Sequence, residues 1–70
     1  MADFIQIIAN GQSYQVAPGT ALPSFIEEQG LPPRQVVVER NGHPVVASEL
    51  PETILEDGDH LEIVRIVAGG

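Results

Sequence analysis

An α+β fold, a mixed sheet of four to five strands with one helix packed on one face, is predicted by three observations. Two Asn-Gly pairs, Asn10-Gly11 and Asn41-Gly42, each stand between strand-forming runs, which is the strongest short-range hairpin signal. One stretch at helical spacing lies between the two hairpins. A last β-branched run, from His60 to Val67, follows a mixed segment near the end of the chain.

The first hairpin spans Asp3 to Val16. Phe4, Ile5, Ile7 and Ile8 are strand formers, and Ser13, Tyr14 and Val16 continue beyond the turn. Alternation assigns Ile5, Ile7 and Ala9 to the core and Phe4, Gln6 and Ile8 to the other face. Pro18-Gly19 ends this unit, and Thr20 is the expected N-cap of a helix from Ala21 to about Gln29. Leu22, Phe25, Ile26 and Gln29 fall on one helical face, and Pro23 is tolerated because first-turn amides have no intrahelical partner. Gly30 suits the left-handed position after the helix, Leu31 can fold back onto Ile26, and Pro32-Pro33 forbids continuation.

The second hairpin joins a strand from Gln35 to Arg40 with Val45 and Val46. Residues 47 to 56 read as an irregular or 3₁₀ crossing in which Leu50, Ile54 and Leu55 supply core contacts. Asp57-Gly58 then turns the chain into the last strand. The order ββ, α, ββ, β has one economical arrangement: a β-grasp sheet, with the last strand parallel beside the first and the helix over the single buried face. A ferredoxin-like βαββαβ alternative needs a second helix between Ala47 and Glu56, against Pro51 and the absence of helical periodicity there. The division expected is a β-grasp domain over residues 1–67 and a flexible diglycine tail over residues 68–70.

Seventy residues make one domain with a modest core, too small to give up much of it to a buried ligand pocket. A net charge of −7, with Arg34, Arg40 and Arg65 as the only cations, repels phosphate backbones; nucleic acid and anionic membrane are excluded as partners and a basic protein face is favoured. The stretch MADFIQIIANG has no basic lead and only a short apolar run broken by Gln6, so neither a signal peptide nor a membrane span is expected, and the reading is cytoplasmic. With no cysteine there is no disulfide framework and no thiolate zinc site.

A catalytic constellation is not evident. His43 and His60 lie beside turns without further ligands at metal spacing, Ser13, Ser24 and Ser48 lack a nucleophile elbow, and Glu56-Asp57-Gly58-Asp59 lacks the ligand register of a calcium loop. The chain is therefore expected not to be an enzyme and to bind neither metal nor cofactor. Gly69-Gly70 at the end is the exception. At a glycine frequency near 7%, two terminal glycines arise by chance in about 0.5% of chains. Lacking side chains, such a tail is slender and takes backbone angles closed to other residues. Three residues from Ala68 reach about 10 Å, enough to carry a carboxylate into a narrow partner site while the body stays outside.

If Leu61 and Ile63 point into the core, alternation puts Glu62, Val64 and Ile66 on the opposite sheet face beside Val37 and Glu39. Exposed valine and isoleucine next to the tail mark this face as the partner-docking surface.

The segments VERNG (residues 38–42), SELPETILEDGDHLEIV (residues 48–64) and the terminal AGG resemble the ThiS-type sulfur carriers of thiazole synthesis, which are β-grasp ubiquitin-like proteins. The resemblance covers nearly the whole chain. It implies that the Gly70 carboxylate, on the slender neck of Gly69, is adenylated by an ATP-using, E1-like enzyme of ThiF type and converted to a thiocarboxylate. It implies further that a ThiG-type thiazole synthase receives the sulfur for thiamine; the free chain is expected to be a monomer. The small subunit of molybdopterin synthase is similar too, though typically longer and with a proline-containing stretch before its end. A ubiquitin-like interaction or modifier module without sulfur chemistry is the remaining alternative. The absence of cysteine and lysine leaves no internal thiol or side-chain amine to intercept an activated acyl group.

Overall fold

Residues 3–66 are described by a computed structural model. Strands β1 (Ile5–Ala9) and β2 (Gln12–Val16) form the first hairpin, with Ile5 opposite Val16 and Ala9 opposite Gln12. The two turn residues, Asn10 and Gly11, both take positive φ, 51° and 81°, the backbone of a type I′ turn whose twist matches the strands. Asn41 and Gly42 repeat that geometry at 53° and 84° between β3 (Val36–Arg40) and β4 (His43–Val45). Helix α1 (Leu22–Glu28) joins the hairpins, and β5 (His60–Arg65) closes the fold. The sheet order is β2-β1-β5-β3-β4, with β5 parallel to β1 and antiparallel to β3. This is the predicted β-grasp, with five strands.

One face of the sheet is buried. Ile7 and Ala9 of β1, Val36 and Val38 of β3, and Leu61 and Ile63 of β5 pack against Leu22, Phe25 and Ile26 of α1. Tyr14 of β2 meets Phe25 edge to face at 5.2 Å between ring centroids. Each fully buried large apolar side chain contributes about 1.5–3 kcal/mol, so this single layer supplies most of the stabilisation of a small sheet.

The helix ends as its sequence predicts. Gly30 takes φ 78°, its N–H bonds the Glu27 carbonyl (2.9 Å), and the Leu31 N–H reaches Ile26 O (3.2 Å), the two bonds of a Schellman motif. The helix start differs. Ala21, not Thr20, is the capping residue, because the Thr20 hydroxyl donates instead to Ala17 O at 2.6 Å. The crossing segment supplies what a side-chain cap would: Leu22 N–H bonds Thr53 O (2.8 Å), Leu55 N–H bonds Thr20 O (2.9 Å), and Ala21 bridges Ile54. That bridge also corrects the assignment of Ile54 to the core. With its backbone committed to Ala21, alternation turns its side chain outward, 47% exposed, while Leu55 and Leu50 are buried. Gln29 is exposed rather than on the packed helical face. Gln35 ends a 3₁₀ turn (Pro33–Gln35), so β3 starts at Val36; β4 ends at Val45, leaving Val46 outside the strand; the crossing holds a second 3₁₀ turn (Leu50–Glu52). β5 ends at Arg65 and leaves Ile66 outside the strand, short of the expected Val67; Val67, the domain boundary there and the tail over residues 68–70 lie outside the described residues.

Both turn asparagines also hold β5. The Asn10 side chain accepts from Ile63 N–H (2.8 Å) and donates to Ile63 O (3.0 Å), continuing by side chain the ladder that β1 abandons at its turn. Asn41 Oδ1 accepts from His60 N–H (2.9 Å), and its Nδ2 donates to Asp59 Oδ1 (3.1 Å). Asn10→Gly keeps the positive φ and deletes both bonds to Ile63. The expected loss is about 1–2 kcal/mol in urea unfolding; an unchanged midpoint would show that the amide contributes nothing to holding β5.

A charged clasp fixes the entry to β5. Asp59, 4% exposed, accepts from Arg40 Nε (3.0 Å), from Asn41 and from Glu56 N–H (2.8 Å), and Arg40 Nη2 stands in ion-pair contact at 2.9 Å. Arg40 also reaches Glu56 Oε1 (3.2 Å) and Ile54 O (3.0 Å), joining the second hairpin to the crossing and the last turn.

Candidate functional site

The last strand is the central strand of the sheet, paired with β1 at His60 and Leu61 and with β3 from Leu61 to Arg65. The two glycines lie outside the described residues. What the structure places is the base of the tail and the face beside it.

Alternation along β5 falls as predicted. Leu61 and Ile63 are buried, whereas Glu62 is exposed and Val64 and Ile66 are 62% and 48% exposed. Their register with β3 assembles the predicted face in two rows: Val37 stands directly opposite Val64, and Glu39 directly opposite Glu62. Val37 is 51% exposed. All five predicted docking residues therefore share one outer face. Val46, one residue past the Val38–Val45 pair and half exposed, extends the apolar row on the β4 side. It was legible as a strand former but not as part of the face, because that depends on where β4 ends.

The charges on this face are unusual for a stable surface. Like charges directly opposite on paired strands are destabilising, and Glu39 and Glu62 have no described cationic partner: the ion pairs among the described residues are those of Arg40 with Glu56 and Asp59. A partner presenting a cation there would relieve the repulsion while covering Val37 and Val64. At the other end of β5, where the tail leaves, stand Arg65 and, in the 3₁₀ turn before β3, Arg34.

Beside this face a groove runs between the 3₁₀ turns and β3, lined by Pro32, Pro33, Val37, Val45, Leu50 and Ile66 among others. Its apolar walls combine strand residues of β3 and β4 with residues of the connecting turns that only folding brings together, and no local pattern announced it.

Several of the remaining candidates have structural roles. His43 and His60 are exposed, and the His43 ring bonds the carbonyl of Asn41 (Nδ1 at 3.1 Å). Ser13 Oγ accepts from the Gln6 amide. Glu56 to Asp59 is a turn: Gly58 has φ 87°, Asp57 Oδ1 accepts from Gln6 N–H (2.8 Å), and Asp59 belongs to the clasp. Among the described residues no group of three or more potential ligands is placed to hold a metal, and no helix is long and apolar enough to cross a membrane.

The sheet order, the single helix and the central last strand define a ubiquitin-like β-grasp protein. The ThiS family model matches residues 5–70, and the chain belongs to that family. Two curated relatives are similar over 66 residues, 94% of this chain: a thiazole synthase from Paramagnetospirillum magneticum at 32% identity and one from Magnetococcus marinus at 30%. The chain spans 20% of the length of each. Among solved structures, the thiamine biosynthesis protein ThiS from Geobacter metallireducens superposes with a TM-score of 0.77 at 23% identity, over 94% of this chain and all of that one. A designed protein based on human erythrocytic ubiquitin superposes at 0.58 with 20% identity, over 99% and 98% of the two chains. At these identities the superpositions speak for the fold.

Proposed function

We propose that this chain is a sulfur carrier for thiazole formation in thiamine biosynthesis, with the Gly70 carboxylate as the reactive group. The observation that carries the reading is membership of the ThiS family over a span that reaches Gly69 and Gly70. Similarity to a segment of two proteins named thiazole synthase supports such an enzyme as the sulfur acceptor.

The chemistry is divided between proteins. A carboxylate is a poor electrophile, so an adenylating enzyme must first supply a leaving group: a Gly70 oxygen attacks the α-phosphorus of ATP and pyrophosphate departs. A sulfide-level nucleophile then adds to the acyl carbon and expels AMP, leaving a thiocarboxylate whose sulfur is nucleophilic near neutral pH. ATP belongs to the partner, and the carrier supplies a docking face and a slender acyl terminus. Intact mass of the protein from its native cell tests the reading. A fraction with one oxygen replaced by sulfur is expected; its absence under thiamine starvation would overturn it.

The docking role of the outer face is tested by Val64→Asp. An added charge on a 62% exposed site should move the thermal midpoint by only a few degrees. Beside Glu62 and opposite Val37 it should weaken association with the adenylating enzyme at least about tenfold, the equivalent of about 1.4 kcal/mol. Unchanged affinity would remove this face from the interface. Ile63→Asp, by contrast, buries a charge and should unfold the protein.

A further inference from the structure

The two edges of β5 are covered to different lengths. Asn41 N–H bonds His60 O (2.8 Å) and Ile66 N–H bonds Gln35 O (2.7 Å), so even-numbered residues of β5 turn their backbone groups toward β3, which covers that side through Ile66. Odd-numbered residues face β1. There, Ile8 N–H bonds Asp59 O (2.9 Å), Asn10 N–H bonds Leu61 O (2.9 Å), and the Asn10 side chain takes both backbone groups of Ile63. The chain then turns back into β2. The next groups on that side, the N–H and C=O of Arg65, meet no described residue.

We propose that this short open edge of β5 at Arg65 is a strand-addition site, occupied by an extended main-chain segment of the adenylating enzyme when it engages the tail. The proposal rests on the carrier reading above. The occupant follows from the groups that have no partner among the described residues. One N–H and one C=O, in line with the ladder at Asp59, Leu61 and Ile63, are satisfied together by an extended backbone, whereas a helix side presents no free main-chain groups. Asn10 already acts as a stand-in for one such residue at Ile63. On the helix side the edge opens at Ile63 onto a cleft lined by Asn10, Gln12, Tyr14, Phe25, Gln29 and Leu31, where a side chain of the added strand can settle. A second copy pairing antiparallel about the same residue would set Arg65 against Arg65, a like-charge pair that disfavours self-association. Strand addition here would align the partner segment with the tail and set its direction before the carboxylate reaches the adenylating centre.

Two variants separate backbone from side chain. Arg65→Pro removes the N–H, which proline at an edge position tolerates, while Arg65→Ala keeps it. Adenylation of Arg65→Pro should fall at least about tenfold below that of Arg65→Ala, which shares the loss of the side chain but keeps the N–H, with both thermal midpoints measured. Amide exchange on the unaltered chain gives a reading independent of any variant: Arg65 should gain protection in the complex, whereas Ile66, already bonded to Gln35, should change little. An Arg65 amide that stays unprotected in a complex competent for adenylation overturns the strand addition and leaves the carrier reading intact. Failure of the unaltered chain to bind or be adenylated overturns both. Protection that appears in the free protein and grows with its concentration would assign the edge to a second copy and overturn the proposed occupant.

Discussion

Removing Gly70 should abolish activation by the adenylating enzyme and leave the thermal midpoint of the domain within about a degree. The deletion retracts the terminal carboxylate by about 3.3–3.6 Å. A misplacement of one ångström from a reactive geometry can already lose about 100-fold in rate, so the expected loss is at least that. No described core contact involves the terminus: the buried cluster lies between Ile7 and Ile63. The check is ATP–pyrophosphate exchange beside a thermal melt. Retained exchange would show that Gly70 does not carry the reactive carboxylate, and a large fall in midpoint would show that the terminus is packed structure.

Asp59→Ala should produce the largest loss of stability expected of a single polar substitution here. It removes the acceptor of the Arg40, Asn41 and Glu56 bonds from a site only 4% exposed and leaves Arg40 without its better-buried partner. Breaking a fully buried pair costs about 3–5 kcal/mol. The Arg40 side chain is 24% exposed and keeps Glu56 and Ile54 O, so about 2–4 kcal/mol is expected, a fall on the order of 10–20 °C in midpoint.

The same clasp has a signature in pH. Burial pushes the Asp59 carboxyl up, but the Glu56 amide, the Arg40 and Asn41 hydrogen bonds and the Arg40 charge together hold it below its ordinary value. A carboxylate lowered in the folded state binds its proton more readily when unfolded. Its contribution is therefore fully present above about pH 4, the ordinary aspartate range, and is lost as pH falls through the lowered value. Urea unfolding of the unaltered chain and of Asp59→Ala should converge below that range. Parallel curves down to strongly acid pH would show that the clasp charge contributes nothing to stability.

Much of this protein was determined locally. Asn10-Gly11 and Asn41-Gly42 define tight hairpins because asparagine and glycine tolerate the positive φ that type I′ turns require, and Gly30 with Leu31 ends the helix for the same reason. Period-two alternation placed Ile7, Leu61 and Ile63 inward and Val37, Glu39, Glu62 and Val64 outward, and with two tight turns fixing register there was little freedom to slip. The element order then left one economical sheet, and the exposed outer face of β3 and β5 came with it.

Tertiary structure decided what depends on partners distant in sequence. Thr20 has the chemistry of an N-cap, but its hydroxyl closes a local turn, and the helix start is set by Thr53 and Ile54 from the crossing. Ile54 is as apolar as Leu55, and a backbone bridge to Ala21 turned it outward. Asn10 and Asn41 read as turn residues because a positive φ is a local property; that their amides hold β5 depends on a strand about 50 and 20 residues further along the chain. The Arg40–Asp59 clasp and the open edge at Arg65 have the same origin. Periodicity reports the face a side chain takes within its own strand, whereas a hydrogen-bond partner, or the lack of one, is set by which strands lie alongside and where each one ends.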